Sequence, residues 1–189
     1  MIDLSSTGNS LSLPVTHHSN ILIGDNVYIW GGYRPDLLLV HDSPQKRQFT
    51  SSITVYNVLQ SSLDTRQTTG TPPNGIMGYS SCCIGEDIYY FGGNCKDNDC
   101  YHNSLFVLNT KSHKWREIDC DDGPMKKFGC GMIHFSINGE DYLLVIGGSG
   151  PVLAHDTPDQ YKYIPDPNIP SLCFTNEVHI MCVSSTPGI

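Results

Sequence analysis

No run of apolar residues in this 189-residue chain approaches the roughly 18 needed to cross a bilayer, and the first twenty residues lack the basic start and apolar stretch of a secretory leader. Membrane insertion is therefore not expected. Charge is also scarce: 16% of residues are Asp, Glu, Lys or Arg, with no block of like charges. A net charge of −8 repels phosphate backbones, so neither nucleic acid nor an anionic membrane is an expected partner. No Asn-x-Ser/Thr acceptor occurs, which fits a cytoplasmic or nuclear location. A disulfide framework is not called for either. Cys82 and Cys83 sit side by side on an apolar run, and Cys130, Cys173 and Cys182 lie in or beside other such runs, the pattern of buried thiols.

What the chain has in quantity is glycine (18), proline (12) and tyrosine (10), with 39% hydrophobic residues, the composition of a turn-rich globular protein long enough to bury a core. Its dominant pattern is an adjacent glycine pair that closes a run of alternating apolar residues three times, at Gly31-Gly32, Gly92-Gly93 and Gly147-Gly148. The pairs recur at intervals of roughly 55 to 60 residues, the period of a repeated supersecondary unit. Each run reads as strand, tight turn, strand, double glycine.

The second unit is the clearest. Residues 80–84 form an inner strand, Gly85-Glu86-Asp87 turns the chain, 88–91 return antiparallel, and 105–108 and 114–118 follow as third and fourth strands. The first unit repeats this plan with 53–56 as third strand and Leu63 in the place of Trp115. In the third, 177–182 form the third strand, 184–188 a turn, and no fourth strand follows. The stretches 33–52 and 149–176 carry Pro and Gly without a helical period and are expected to be surface loops. The division expected is a polar lead over 1–13 and a repeat domain over 14–189, with units at about 14–70, 75–120 and 125–189, the last truncated. Such units cannot bury both sheet faces alone and must complete one another's core.

These units resemble kelch repeats, the blades of one class of β-propeller, through Gly31, Gly32, Gly92, Gly93, Gly147, Gly148, the preceding Tyr28 and Tyr89, and the late Trp115. The resemblance implies an all-β fold, a partial kelch propeller of about three four-stranded antiparallel blades with the third incomplete. The phrases Val27-Tyr28-Ile29-Trp30-Gly31-Gly32-Tyr33, Trp115-Arg116-Glu117-Ile118-Asp119-Cys120 and Asn176-Glu177-Val178-His179-Ile180 are similar, in order, to the first three blades of kelch-domain-containing substrate receptors of cullin-RING ubiquitin ligases. In that sub-family the propeller mouth captures C-terminal tails of other proteins with aromatic and basic residues from several blades. The matching positions are Tyr33, Lys127 with Lys126 second to it, and Phe174 in place of a tryptophan; neighbouring Arg34 joins them. The family's carboxylate-clamping arginines belong to later blades.

The resemblance thus implies a non-catalytic protein-interaction module that binds other proteins or their peptide tails, as part of a ubiquitin-ligase substrate adaptor. An actin-binding cytoskeletal scaffold and a propeller enzyme of oxidase or specifier type are the alternatives. In a propeller the loops from strand two to three and the linkers from strand four to the next blade gather at one end. That end would hold Tyr33, Arg34, Lys46, Arg47, Lys96, Lys126, Lys127 and Phe174, a basic rim suited to an acidic or carboxylate-ended peptide.

Other motifs carry less. Cys95, Cys100, His102 and Cys120 offer zinc's preferred ligand atoms, but Cys-x4-Cys-x-His matches no strong zinc spacing, and they read as loop residues. Asp97-Asn98-Asp99 lacks the glycine and glutamate of a calcium loop. Gly129-Cys130-Gly131 lacks the third glycine of a dinucleotide fingerprint, and Gly78-Tyr79-Ser80-Ser81-Cys82 lacks the last glycine of a nucleophile elbow. No catalytic residue, metal or cofactor is expected.

Overall fold

The computed structural model describes residues 16–38, 40–95, 97, 100–120, 125–152 and 163–183. The lead over 1–13, Lys96, the Asn98-Asp99 part of the acidic loop and the turn over 184–188 lie outside them.

Each repeat folds from its hairpin outward. In the first, β1 (Ser19–Ile23) turns into β2 (Asn26–Trp30), a short helix α1 (Pro44–Thr50) follows, and β3 (Ser52–Asn57) and β4 (Ser62–Gln67) complete a sheet in the order β1-β2-β3-β4. In the second, β5 (Ser80–Ile84), β6 (Asp87–Phe91), β7 (Leu105–Asn109) and β8 (Lys114–Ile118) repeat that order. The turn between β5 and β6 is tighter than expected. Ile84 pairs Asp87, so Asp87 belongs to the strand and only Gly85-Glu86 turn the chain.

The third repeat begins with β9 (Gly131–Ile137) and β10 (Glu140–Ile146), joined by Asn138-Gly139, both at positive φ as a type I′ turn requires. Then β11 (Ser149–Pro151), β12 (Tyr163–Pro165) and β13 (Leu172–Thr175) form a separate small sheet, and β14 (Val178–Cys182) returns to pair β10.

Three expectations are corrected here. The stretch 33–52 is not all loop: Ser43 caps α1 by accepting the Lys46 amide at 3.1 Å, Pro44 opens its first turn, and Lys46 and Thr50 are buried. Seven residues are too few to display a helical period. The stretch 149–176 likewise contains the β11-β13-β12 sheet, whose Leu172 and Cys173 are buried. One thiol expected to be buried, Cys182, is exposed.

The sheets stand side by side as a sector of a propeller. Their first strands, β1, β5 and β9, pack against one another in sequence. Farther out, Thr69 accepts the Trp115 amide at 2.8 Å and donates to the His113 carbonyl at 2.8 Å, fastening the exit of the first sheet to the rim of the second. The core lies between sheets. One cluster joins the first two through Trp30, Tyr90, Trp115, Ile53 and Leu108, and the other joins the second and third through Phe91, Leu105, Leu143 and Val145. Trp30 is the hub of the first joint, with ring centroids 4.9 Å from Tyr79, 5.0 Å from Trp115 and 5.2 Å from Tyr90. Both indoles are satisfied: Trp30 Nε1 donates to Thr50 O at 2.9 Å and Trp115 Nε1 to Thr68 Oγ1 at 3.1 Å.

Candidate functional site at the loop end

The glycine pairs gather the loops. A Cβ on Gly31 would meet the Tyr79 ring and come within 2.8 Å of the Ile76 carbonyl, and one on Gly92 would collide with the Lys127 carbonyl. The room is used by backbone: the Gly32 amide donates to Ile76 O at 2.5 Å and the Gly93 amide to Lys127 O at 2.9 Å. Ile76 and Lys127 lie on the segments entering the second and third sheets. β2 and β6 therefore each end against the linker to the next blade, which puts their strand-two loops and the inter-blade linkers at one end of the sector.

Tyr33 is half-buried there, its backbone paired with Thr16 through bonds of 2.6 and 3.1 Å. Arg34 reaches both carboxylate oxygens of Asp36 and lies over the Phe49 ring, 5.3 Å from its centroid. The Arg34 hydrogen bond holds the Asp36 carboxyl below its ordinary value. Lys126 is exposed, and its carbonyl abuts Gly150, whose strand partner is Cys173. Phe174 is 43% exposed, paired with Ser149 on one side and Ile164 on the other. Lys126 and Phe174 thus share a corner of the third repeat, while Tyr33 and Arg34 belong to the first.

The basic rim is thinner than the sequence indicates. Lys127 is fully buried, with Nζ 2.6 Å from Glu177 Oε2, and Glu177 also accepts the Met125 amide at 3.3 Å. Its charge ties the entrance of the third sheet to β14 and is not presented to solvent, because a carboxylate 50 residues away desolvates with it. Lys46 is also buried, donating to His41 O at 2.7 Å and Val40 O at 3.3 Å. Arg47 is paired with Asp42, and Lys96 lies outside the described residues.

A second grouping keeps three residues the sequence puts together, Cys95, Cys100 and His102, and replaces Cys120 by His41. Behind the rim, His41 from the first repeat meets Cys95, Cys100 and His102 from the second, with the four ligand atoms all within 4.8 Å of one another. Cys120 is not among them; its thiol lies 3.6 Å from the Ile118 carbonyl. Burial, then the nearby Cys95, pushes the Cys100 thiol up to about 12. Burial, followed by His41 and Lys46, brings His102 down to about 4, so its imidazole is neutral at physiological pH.

Comparison with known proteins agrees with this architecture. Residues 3–165 match the KLHDC2/KLHL20/DRC7 Kelch-repeats domain. Human Kelch domain-containing protein 3 is 29% identical over 114 residues, covering 58% of this chain and 26% of that protein. Tip elongation aberrant protein 1 of Schizosaccharomyces pombe is 29% identical over 150 residues, covering 77% of this chain and 12% of its own length. The chain therefore spans about a quarter or less of these curated relatives. Among solved structures, that of YjhT superposes with a TM-score of 0.53 at 14% identity, over 74% of this chain and 46% of the other, a likeness of fold alone. With the glycine-paired blades and the inter-sheet core already in place, the matched domain assigns the lineage: the chain belongs to the KLHDC2/KLHL20/DRC7 Kelch-repeats family.

Proposed function

We propose that the chain is a non-catalytic protein-interaction module whose loop end receives a peptide. The observation that carries this reading is the convergence of strand-two loops and inter-blade linkers, fixed by the Gly32–Ile76 and Gly93–Lys127 hydrogen bonds. A rigid scaffold that places variable loops on one face is built for recognition. Kelch-family relatives support the coarse function. The finer assignment gives Tyr33 and Phe174 the stacking and apolar contacts and exposed Lys126 the attraction for an acidic or carboxylate-ended peptide, with Arg34 joining once the peptide carboxylate takes the place of Asp36. Lys127 holds the Lys126 segment in place through Glu177.

As the family resemblance implies, the partner class is a protein delivered to a ubiquitin ligase, and the site of action is cytoplasm or nucleus. Among the described residues no helix is long and apolar enough to cross a membrane. The test is a peptide library displayed with free and with amidated C-termini. The reading expects a bound subset that weakens on amidation and is lost in the Tyr33→Ala, Lys126→Ala, Phe174→Ala triple variant. Binding unchanged by that variant would contradict it. Ligase involvement is checked separately, by whether cullin-RING subunits co-purify with the chain from cells.

A further inference from the structure

We propose that His41, Cys95, Cys100 and His102 form a structural zinc site that fastens the long loop of the first blade to that of the second. The geometry is that of an assembled tetrahedron. Zinc held by two sulfurs at ~2.3 Å and two nitrogens at ~2.0 Å sets edges of about 3.8 Å between sulfurs, 3.5 Å between sulfur and nitrogen and 3.3 Å between nitrogens. His41 Nδ1 lies 3.0 Å from Cys100 Sγ and 3.7 Å from Cys95 Sγ, and His102 Nε2 lies 3.0 Å from Cys95 Sγ and 3.6 Å from Cys100 Sγ. The four sulfur–nitrogen edges are each within about 0.5 Å of the zinc value, and the sulfur–sulfur and nitrogen–nitrogen edges lie within 4.8 Å, so a modest contraction brings all four onto one ion. The two imidazoles are already oriented for it, stacked with centroids 5.5 Å apart and planes at 23°, each edge facing the same pair of sulfurs.

The donor set chooses the metal. Two thiolates and two imidazoles are soft to intermediate ligands that suit zinc and not calcium or magnesium, and four protein ligands leave no open position, so the role is structural. The surroundings support the ligands. Asn74 Nδ2 lies 3.2 Å from His41 Nε2; flipping the amide exchanges that nitrogen for the oxygen, which then accepts the Nε2 proton and leaves Nδ1 for the metal. Lys46 donates to Cys95 Sγ at 3.0 Å from the buried side, a charge-assisted bond that steadies the thiolate. Zinc loading replaces two S–H bonds by two Zn–S bonds and releases two protons to solvent, leaving a neutral Zn(thiolate)2(imidazole)2 core.

The reduced, metal-free chain is titrated with cobalt(II) and then with zinc. The expected result is one equivalent of cobalt with tetrahedral d–d bands and a sulfur-to-cobalt charge-transfer band, displaced by zinc. His41→Asn, at an exposed position that leaves the blades intact, should weaken zinc binding at least about tenfold. Cys100→Ser should remove part of the charge-transfer intensity, while Cys120→Ser should leave the spectrum unchanged. A reduced wild-type chain without tetrahedral bands overturns the proposal, as does a spectrum indifferent to both His41→Asn and Cys100→Ser. So does isolation from reducing cytosol with a Cys95–Cys100 disulfide in place of metal.

Discussion

At the scale of single residues, the most consequential side chain is one whose charge is hidden. Lys127 and Glu177 are buried together, and truncating one strands the other's charge in a dry site. Lys127→Met should therefore cost about 3–5 kcal/mol in denaturant unfolding, whereas the Lys127→Met, Glu177→Leu pair should recover most of that loss. Equal losses for the single and double variants would show that the ion pair is not what the site depends on. Asp141 offers a surface counterpart. The Ser136 hydroxyl, and then His134, hold its carboxyl below the ordinary aspartate value of about 3.9. Because its folded pKa is depressed, its contribution to stability is present above the unfolded value and fades as pH falls through the folded one. An NMR titration should place its midpoint below that of an unfolded peptide, and Ser136→Ala should move it upward; no movement would refute the assigned cause. Neither the burial of Lys127 nor the company kept by His41 was legible in the sequence. Both depend on partners 50 or more residues away that no local pattern pairs.

At the scale of elements, the hairpins were legible because alternation and two-residue turns are local: the second repeat's strands fall where the apolar runs place them, with Asp87 and Asn109 moving from turn to strand. Helix α1 and the β11-β13-β12 sheet were not. Seven helical residues and strands of three or four are shorter than the periods that would announce them, and they form because neighbouring elements bury Thr50, Leu172 and Cys173. The joint between the first two blades is the element-level prediction. Trp115 is 2% exposed and packs its ring at a tilt against Trp30 and Tyr90, so Trp115→Ala should cost about 3–5 kcal/mol. Leu63, its counterpart in β4, is only half-buried, and Leu63→Ala should cost clearly less in the same unfolding experiment. A similar cost at both positions would deny Trp115 its special place.

At the scale of the molecule, the sector formed by the described residues presents an uncovered apolar face. On the face of the β14-β10-β9 sheet turned away from the second blade, Ile133, Ile146, Val178 and Ile180 are each 44–57% exposed. Cross-strand register puts Leu144 between Ile133 and Ile180, and Ile146 opposite Val178, so these side chains form one apolar surface. On the opposite face of that sheet, Leu143 and Val145 are fully buried against the neighbouring blade. A surface of this kind associates in water. Sedimentation velocity of the isolated 189-residue chain therefore tests most directly whether blades stack side by side with their faces as the joint. The account predicts concentration-dependent self-association that Ile133→Lys with Ile180→Lys converts to a folded monomer. A wild-type chain that stays monomeric at every concentration, with cooperative unfolding, would contradict it.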